Sequence, residues 1–418
     1  MMFRKLLTFE DAQRAIQQQF KPKPLGTEQA PVLEAVDRVL AEDTRALLDI
    51  PPFNRSTVDG FAVTAEDTFG AQENKPVALK ICGVINIGET PKAKIGHGKA
   101  ADIVTGAPIP EGADAVVMVE NTERKQDNLF IFSPVAKDEN IMKAGTDIKK
   151  GEKVLKTGQI LGSTEIGVLS ALGISKVKVY TIPRVAVLST GPELTEPGMP
   201  LASAKIYDIN AYSLSTAVLE SGGKPICLGV FPDSLTELRK ALRRALASAD
   251  MVVTSGGVSV GPKDIVPKAL DSLGKPGVIV CGIAIKPGKP TTVALINGKL
   301  VVALPGHPTS ALLVFNLLVR PIIRRLGARI TDENQTVKAS AAARMFTAKG
   351  RQTFVMVKLK YDESNRMVAE PIPSGASGAI TTLARADGFV EIAENMQFID
   401  KGEAVDVHLF RKCEKGMR

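Results

Sequence analysis

Acidic side chains and a glycine-rich loop follow the predicted strands of the segment 184–326. Glu193 comes after the strand RVAVLST, Asp233 after KPICLGVF, and the loop SGGVS (residues 255–259) after DMVVT, with Asp264 further on. A glycine loop lets backbone N–H groups approach an anion closely, and carboxylates beside phosphate oxygens form the pattern that recruits Mg²⁺. These residue types therefore predict a site for a phosphate-bearing ligand and Mg²⁺.

Two of these acids also have plainer structural interpretations. Asp264 precedes IVPKAL and is suited to capping the N-terminus of that predicted helix. Glu193 is equally compatible with a solvated turn residue. The sequence leaves both interpretations open beside metal binding.

Two more turns of the same segment carry groups suited to an anion. The turn KPGKP places Lys286 and Lys289 on a frame of proline and glycine, and the turn PGHP (residues 305–308) follows the strand KLVVA. In an open α/β sheet, ligands bind in the crevice beyond the carboxyl ends of the strands. Because these turns adjoin predicted strands, we expect them to meet at one edge and to share one binding site.

The stretch GVSVG, residues 257–261, also has the G-x-S-x-G spacing of the turn that presents a nucleophilic serine in hydrolases. That turn places the serine directly after its strand, whereas Ser259 lies several residues beyond DMVVT. His307 is held in PGHP and His408 in an alternating strand pattern, so neither is an evident catalytic partner. The sequence therefore favours a phosphate-binding loop, with Ser255 and Ser259 as hydrogen-bond donors.

The composition restricts the classes of function. The chain has 418 residues, 44% hydrophobic and 23% charged, as expected for a globular protein of several domains. Its net charge of +8 comes from scattered basic residues, and 5% aromatic residues with no Trp disfavour nucleic-acid binding. Four widely spaced cysteines disfavour zinc fingers and disulfide frameworks and indicate a cytoplasmic protein. Without an apolar run of about 18 residues, we expect no membrane span.

Changes in sequence texture indicate a multidomain α/β plus β protein. We predict a discontinuous, extended and helical linking domain (residues 1–45 and 150–183), with helices over LTFEDAQRAIQQQF and APVLEAVDRVLAED, and an inserted small β domain (residues 46–149). Strands alternate with helices over residues 184–330, which indicates a central, doubly wound α/β domain with a largely parallel sheet. Short alternating strands over residues 335–418 predict a C-terminal small β-barrel.

A set of short motifs runs through the whole chain in a fixed order. PPFNRSTVDGFAV (51–63) and IVTGAPIPEGADAVVMVE (103–120) are followed by AGTDIKKGE, STGPEL, IYDIN, TSGGVSVGPKD, IKPGKP, LPGHPTSA and GRQTF. Each motif alone is weak, but the ordered set is specific. It closely resembles the molybdopterin molybdenumtransferases, the MoeA family, which is also seen in the C-terminal domain of gephyrin.

The resemblance implies four domains, an elongated homodimer, and a third domain related to the molybdopterin adenylyltransferases. It implies an enzyme of molybdenum cofactor biosynthesis that takes adenylylated molybdopterin and molybdate. Such an enzyme hydrolyses the adenylate with Mg²⁺, releases AMP and leaves molybdenum on the dithiolene sulfurs. It also suggests contact with the molybdopterin adenylyltransferase, and neither nucleic acid nor a membrane is an expected partner.

The resemblance also assigns roles to residues in the matching motifs. The catalytic set is Asp59, Thr105, Asp147, Glu193, Asp233 and Asp264, with Glu193 and Asp264 as metal ligands. The residues expected to bind molybdopterin-AMP are Ser255, Gly256, Gly257, Ser259, Asp208, Pro305, Gly306 and Pro308. Molybdate is a dianion suited to a cationic pocket, and its expected residues are Lys286, Lys289, Pro290, Ser310, Arg351 and Ser377. Because three of the catalytic residues precede the α/β domain by a long stretch, the site is expected to be shared between two subunits.

Three of the departures from the family pattern bear on the predicted site. Pro192 replaces an acid in the usual G-D-E-L turn, which removes one carboxylate and one N–H. His307 replaces the Asn of P-G-N-P, so a charge at this position depends on pH. After GRQTF the chain continues Val355-Met356 where many relatives have an Arg, which weakens the prediction of the molybdate pocket.

Three alternatives stay open at this point. Tungstate, an oxyanion of nearly the same size and charge, is compatible with the same chemistry. A non-catalytic molybdopterin-binding scaffold is a second alternative, although the retained acids argue against lost chemistry. An adenylyltransferase that releases pyrophosphate from ATP is the third, and it leaves the additional domains without a purpose.

Overall fold

The structure is a computed structural model that describes residues 6–258, 265–329, 336–373 and 380–410. Its chain divides into two compact units, one formed by Gln29–Val36 and Leu40–Lys178 and the other by Met1–Glu28, Asp37–Val39 and Val179–Arg418. Up to Tyr180 the helices and strands are α1 (Phe9–Gln19), β1 (Thr27–Pro31), β2 (Thr44–Arg45), β3 (Arg55–Ser56), β4 (Gly60–Val63), β5 (Val77–Ile85), β6 (Lys99–Ile103), β7 (Ala115–Met118), β8 (Thr122–Lys125), β9 (Asn128–Ile131), β10 (Ile141–Met142), β11 (Lys153–Leu155), α2 (Ser163–Ala171) and β12 (Lys176–Tyr180).

The remaining elements belong to the α/β region and to the C-terminal region. The α/β region contains β13 (Arg184–Thr190), β14 (Leu194–Thr195), β15 (Ile206–Tyr207), α3 (Asn210–Glu220), β16 (Lys224–Phe231), α4 (Leu235–Ser248), β17 (Met251–Ser255), α5 (Val266–Asp271), β18 (Pro276–Cys281), β19 (Ile285–Lys286), β20 (Thr292–Ile296), β21 (Lys299–Leu304), α6 (Pro308–Val314) and α7 (Arg320–Leu326). The C-terminal region contains β22 (Thr336–Ala341), β23 (Met345–Phe346), β24 (Gln352–Tyr361), β25 (Met367–Pro371), α8 (Ile380–Arg385), β26 (Gly388–Ile392), β27 (Phe398–Ile399) and β28 (Ala404–Leu409).

The smaller unit is built around a six-stranded mixed sheet in the order β7-β4-β6-β5-β9-β8. Its strands include the predicted pieces GFAV, VALKICGVI, ADAVVMV and NLFIF, so the prediction of a small β domain is confirmed. Alternating side chains such as Leu79, Val117, Leu129 and Ile131 are buried in one core on this sheet. Each such side chain contributes about 1.5–3 kcal/mol by leaving water.

The predicted second helix, over APVLEAVDRVLAED, is wrong. The segment contains only a short 3₁₀ turn at Val32–Ala35, and Asp37 then adopts a φ of +63°, which ends any helix. The backbone N–H groups of Val32 and Leu40 donate instead to the carbonyl oxygens of Ser175 and Gln159. Helical spacing of the apolar residues was misleading, because the 3₁₀ turn and the extended chain bury Val32, Val39 and Leu40 but leave Leu33 and Val36 exposed. By contrast, α1 confirms the first predicted helix, with the Thr8 side chain accepting from the Asp11 N–H at its N-terminus.

The α/β region of the larger unit is doubly wound, as predicted. Its sheet has the order β16-β13-β17-β21-β20-β18, with the first four strands parallel and β20 antiparallel to both neighbours. Successive side chains of β13 point to opposite faces: Val185 and Val187 pack in the core with α3, α6 and α7, whereas Ala186 and Leu188 pack in the core with α4 and α5. Helices on both faces explain why β13 reads as a continuous apolar run.

The C-terminal region closes into a barrel, as predicted. Five strands pair in the ring β24-β25-β22-β28-β26, and β26 pairs back onto β24. Strand β19 of the α/β region adds to the outside of this ring by pairing with β24. Phe354, Met356 and Phe389 share one core with the α/β helices, so barrel and α/β region are packed together.

A single long helical segment follows β21. The helix α6 continues through a π-helical turn at Phe315–Val319 into α7, where Pro321 occupies the first turn. This arrangement accommodates the proline that the sequence places in mid-helix. Within the described ranges, no helix combines the length and the apolar character that crossing a bilayer requires.

Candidate active site

The turns at the carboxyl ends of three parallel strands lie side by side. Ser255, the last residue of β17, is in register with Ser189 of β13 and with Leu304 of β21. The chain leaves the sheet at this edge through the turns that begin at Gly191, Gly256 and Pro305. The structure therefore brings the glycine loop and the PGHP turn together, while Ser259 and Asp264 fall outside the described residues.

The double glycine at 256–257 has a conformation that other residues cannot adopt without strain. Gly256 has a φ of +88°, and a Cβ on it would collide with the carbonyl oxygen of Thr190. Gly257 has a φ of +62°, and its Cβ would lie 2.7 Å from Thr190 Oγ1. The Thr190 side chain is buried, and its Oγ1 has no hydrogen-bond partner among the described residues. A bare glycine turn at the end of a parallel strand lets an anion approach the backbone closely.

Asn210, at the first turn of α3, connects two of these turns. Its Nδ2 donates to Ser255 Oγ and to the carbonyl oxygen of Gly306, both at 2.7 Å, and Ser255 Oγ donates to the carbonyl oxygen of Pro305 at 3.2 Å. Asn210 is 8% exposed, and its Oδ1 has no partner in the described part of the chain. Sequence reasoning missed this residue, although IYDIN contains it, because only the fold places it between two distant loops.

The predicted substrate residue Asp208 lies just before Asn210 and is buried. Its Oδ1 accepts a hydrogen bond from the Ala211 N–H at 3.1 Å, which stabilises the start of α3. Asp208 therefore has a structural role at the start of α3, and its binding to substrate stays a prediction. Pro308 is half-buried at the first turn of α6, directly after the exposed Gly306 and His307.

Two of the predicted acids lie in turns close to glycines of this edge. The carboxylate of Glu193 folds back over Gly191, where its Oε2 would be 2.8 Å from an added Cβ. Asp233 Oδ1 lies near Gly257, at 3.7 Å from the position that a Cβ added to this glycine would occupy. Both side chains belong to exposed turn residues. Among the residues that the structure describes, no three His, Cys, Asp or Glu side chains gather tightly enough to hold a metal by themselves.

The predicted molybdate residues lie at a second place, where the α/β region meets the barrel. Lys286 pairs with Thr353 in the β19–β24 ladder, and Gly288, at a φ of +114°, fixes the following turn against Val314. Lys289 and Pro290 complete that turn and are half-buried. Lys286 and Thr353 line a cleft of about 730 Å³.

The other predicted molybdate residues do not all line this cleft. Ser310 is buried beside Thr309, which lines the cleft, and Arg351 is half-buried in the turn that precedes Thr353. Ser377 lies outside the described residues. The arginine that lines the cleft is Arg344, which sequence reasoning did not select.

The remaining predicted catalytic residues lie in the smaller unit. Asp59 Oδ1 accepts hydrogen bonds from the Thr105 N–H at 2.7 Å and from Thr105 Oγ1 at 2.8 Å. These two bonds, the backbone one first, hold the pKa of Asp59 below its ordinary range, so this exposed carboxylate stays ionised. Asp147 is exposed, and its N–H donates to the Ile50 carbonyl oxygen.

Fold and site together define a class: a multidomain protein whose doubly wound domain carries a glycine cradle at its sheet edge and packs against a closed β-barrel. Three family profiles match the chain in succession. These are the MoeA N-terminal region (domain I and II) over residues 7–173, a probable molybdopterin binding domain over 186–325, and the MoeA C-terminal region (domain IV) over 338–410. The chain belongs to the MoeA family.

Individual relatives agree along nearly the whole length. The chain is 34% identical to a molybdopterin molybdenumtransferase of Haemophilus influenzae, over 97% of this chain and 99% of that protein. It is 33% identical to the Bacillus subtilis protein of the same description, over 92% and 90% of the two chains. A crystal structure of a molybdopterin biosynthesis MoeA protein from Pyrococcus horikoshii is 43% identical, covers 97% of this chain and 100% of its own, and superposes with a TM-score of 0.83.

Proposed function

We propose that the protein inserts molybdate into adenylylated molybdopterin, with hydrolysis of the adenylate and release of AMP. The observation that carries the proposal is the cradle at the sheet edge, where the glycine turn lies over the unpartnered Thr190 Oγ1 in the described structure, Asp233 lies beside Gly257, and Glu193 lies next to Gly191 in the neighbouring turn. The pyrophosphate of an adenylylated substrate matches this combination of hydrogen-bond donors and carboxylates. Relatives of nearly equal length named molybdopterin molybdenumtransferase support the same reaction.

The residues of this edge suit Mg²⁺ bound together with a phosphate ligand. Mg²⁺ prefers oxygen ligands and is usually held by one or two carboxylates together with substrate phosphates, rather than by a full protein cage. We propose Glu193 and Asp264 as its ligands, and Asp233 stands close enough to the glycine turn to assist. When bound, the ion would neutralise charge on the pyrophosphate.

The chain's own groups have separate tasks in this proposal. The Gly257 N–H makes no hydrogen bond to described residues and is available to a phosphate oxygen. Asn210 holds the Ser255 and Gly306 turns at a fixed separation, so the cradle is formed before substrate arrives. Lys286 and Lys289 supply positive charge for the molybdate dianion.

We further propose that Asp59, Thr105 and Asp147 act in a site shared between two subunits of a homodimer. This step rests on the family resemblance and on their placement in the smaller unit. Mixed dimers of Asp59→Asn and Glu193→Gln test it, because a shared site regains about a quarter to a half of wild-type activity when one site per dimer is intact. Mixed dimers that stay as inactive as the two parents would contradict the shared site.

The central assay combines the purified protein, adenylylated molybdopterin and Mg²⁺, with molybdate and tungstate titrated in parallel, and measures AMP. We expect AMP release that depends on the oxyanion, and the relative half-saturation concentrations identify the preferred metal. Absence of AMP with both oxyanions would favour a non-catalytic scaffold. Pyrophosphate formed from ATP and molybdopterin would favour an adenylyltransferase. Copurification with the molybdopterin adenylyltransferase tests the proposed contact between the two proteins.

A further inference from the structure

The turn that carries Glu193 (residues 191–195) is hydrogen-bonded to a second segment of the chain, residues 205–208. The Ile206 N–H donates to the Glu193 carbonyl oxygen, and the Asp208 N–H donates to the Thr195 carbonyl oxygen, both at 2.8 Å. These bonds belong to the short parallel pair of β14 and β15. The second half of the Glu193 turn is therefore fixed by backbone hydrogen bonds alone.

The first half of the turn is held by a side chain. Pro192 has no N–H and no polar side-chain group, so its carbonyl oxygen is the one polar atom that it offers. Lys205 Nζ donates to this oxygen. The peptide groups on either side of the Glu193 Cα thus each accept a hydrogen bond, one from Lys205 and one from Ile206. Because peptide groups are planar, fixing both of them fixes the backbone angles of Glu193 and the point from which its carboxylate projects.

Lys205 lies against the protein instead of extending into solvent. It is half-buried, whereas Ile206 and Tyr207, the two apolar residues that follow it, are 55% and 41% exposed. Lysine is one of the residue types most often found exposed, so this order indicates that its ammonium group is held. An ammonium group that donates to a carbonyl oxygen forms a charge-assisted hydrogen bond, which is stronger than a bond between neutral groups.

The same segment continues into the rest of the sheet edge. Asn210, five residues after Lys205, donates to Ser255 Oγ and to the Gly306 carbonyl oxygen. Residues 205–210 therefore contact the Glu193 turn at one end and the glycine and PGHP turns at the other. A shift of the Lys205 end would move Glu193 relative to the glycine turn without breaking the contacts of Asn210.

We propose that Lys205 is a positioning residue for the insertion reaction. It holds the Pro192 carbonyl oxygen, and through the Glu193 backbone it sets the direction of the carboxylate that we assign to Mg²⁺. The consequence for turnover rests on the proposed function, whereas the hold on the Glu193 turn does not. Sequence patterns missed Lys205 because its partner is a backbone atom in another turn, thirteen residues away.

The first test measures the hold on the turn by hydrogen–deuterium exchange of the full-length protein. We expect Lys205→Met, which removes the donor at similar length, to speed exchange of the Leu194 and Ile206 amides by about 5- to 10-fold. Lys205→Arg keeps a cationic donor and should exchange like wild type. Exchange of the α3 amides should be unchanged, which verifies that the variant is folded. The matched control is Lys224→Met, an exposed lysine at the start of β16, with exchange at Leu194 and Ile206 equal to wild type.

The second test measures AMP release by the same variants. Lys205→Met should lower kcat by about 10-fold, as expected for a residue that orients a metal ligand, with KM for the adenylylated substrate within about 2-fold of wild type. Lys205→Arg should restore kcat. Because Lys205 acts through Glu193, adding Lys205→Met to Glu193→Gln should cause a further loss of less than about 2-fold.

Several outcomes would overturn the role of Lys205. Exchange at Leu194 and Ile206 that matches wild type in Lys205→Met would show that the side chain does not hold the turn. Faster exchange with unchanged kcat would make Lys205 a structural residue only. A full 10-fold further loss in the Glu193→Gln background would show that Lys205 acts independently of Glu193. If the wild-type protein releases no AMP, the insertion reaction is rejected, and the exchange measurement still decides whether Lys205 holds the Glu193 turn.

Discussion

The sheet edge of the α/β region and the Asp59–Thr105 pair of the β domain differ in the burial of their polar groups and in whether those groups have hydrogen-bond partners. At the edge, Thr190 and Asn210 are 2% and 8% exposed, and each keeps a polar atom without a partner in the described structure. Asp59 is exposed to solvent, and its Oδ1 already accepts two hydrogen bonds. A buried unsatisfied polar atom costs about 1–3 kcal/mol, which a ligand recovers where its binding brings a partner to that atom. The sheet edge therefore has the features of a ligand-binding site, whereas the Asp59–Thr105 pair keeps one carboxylate ionised and in a fixed orientation.

The strongest test of the edge is Gly256→Ala. The added Cβ collides with the Thr190 carbonyl oxygen at a φ of +88°, so we expect a loss of about 3 kcal/mol or more in the free energy of unfolding and no measurable AMP release. Gly402→Ala is the matched control, because its φ is +89° but no atom lies within 4 Å of the new Cβ. That variant should lose only about 1–2 kcal/mol in urea unfolding and stay active. Equal losses in the two variants would show that the edge is not tightly packed.

Glu193→Gln separates activity from stability at the same edge. Glu193 is an exposed turn residue, so the variant should unfold within about 0.5 kcal/mol of wild type. Loss of a proposed metal ligand should nevertheless lower kcat for AMP release by about 100-fold or more. Glu196→Gln, an exposed acid of the same loop, is expected to retain normal activity. Normal turnover by Glu193→Gln would contradict its role.

Asn210→Asp tests whether the buried amide fixes the two turns. The new carboxylate oxygen faces the Gly306 carbonyl oxygen and can no longer donate, so we expect a loss of about 2 kcal/mol or more in stability and about a 10-fold lower kcat. Asn365→Asp, in an exposed turn of the barrel, should change stability by less than about 0.5 kcal/mol. If both substitutions are tolerated equally, Asn210 does not position the edge.

Thr105→Val probes the exposed pair and should have the smallest effect. It removes one of the two donors to Asp59, so the pKa of Asp59 should rise towards its ordinary range but stay below it, because the stronger backbone donor is kept. A carboxyl whose folded pKa is lowered stabilises the fold above its unfolded pKa and loses that contribution as pH falls through the folded pKa. The stability difference between wild type and Thr105→Val should therefore vanish at acid pH. Carboxyl NMR titration measures the pKa, and Thr105→Ser should titrate like wild type.

Local patterns were sufficient for most of the elements. The predicted strand RVAVLST coincides with β13, and the amphipathic pattern of DSLTELRKALRRALASA contains α4. These patterns work because burial on a sheet or on one helix face repeats along the chain. APVLEAVDRVLAED failed because its apolar spacing suits a helix, while hydrogen bonds to residues more than a hundred positions away hold it extended. The domain boundaries and the site residues stay predictions.

The sequence by itself determined the alternation of strands and helices in the α/β region, the glycines of the cradle and the family, because each is recorded in short runs of residue types. Only the tertiary structure decided that Asn210 joins the Ser255 and Gly306 turns, and that Arg344 and Phe346, rather than Arg351, line the cleft beside Lys286. These groups are distant in sequence and carry no local pattern. Their meeting depends on strand register and on how the barrel packs against the α/β region, which are properties of the folded chain.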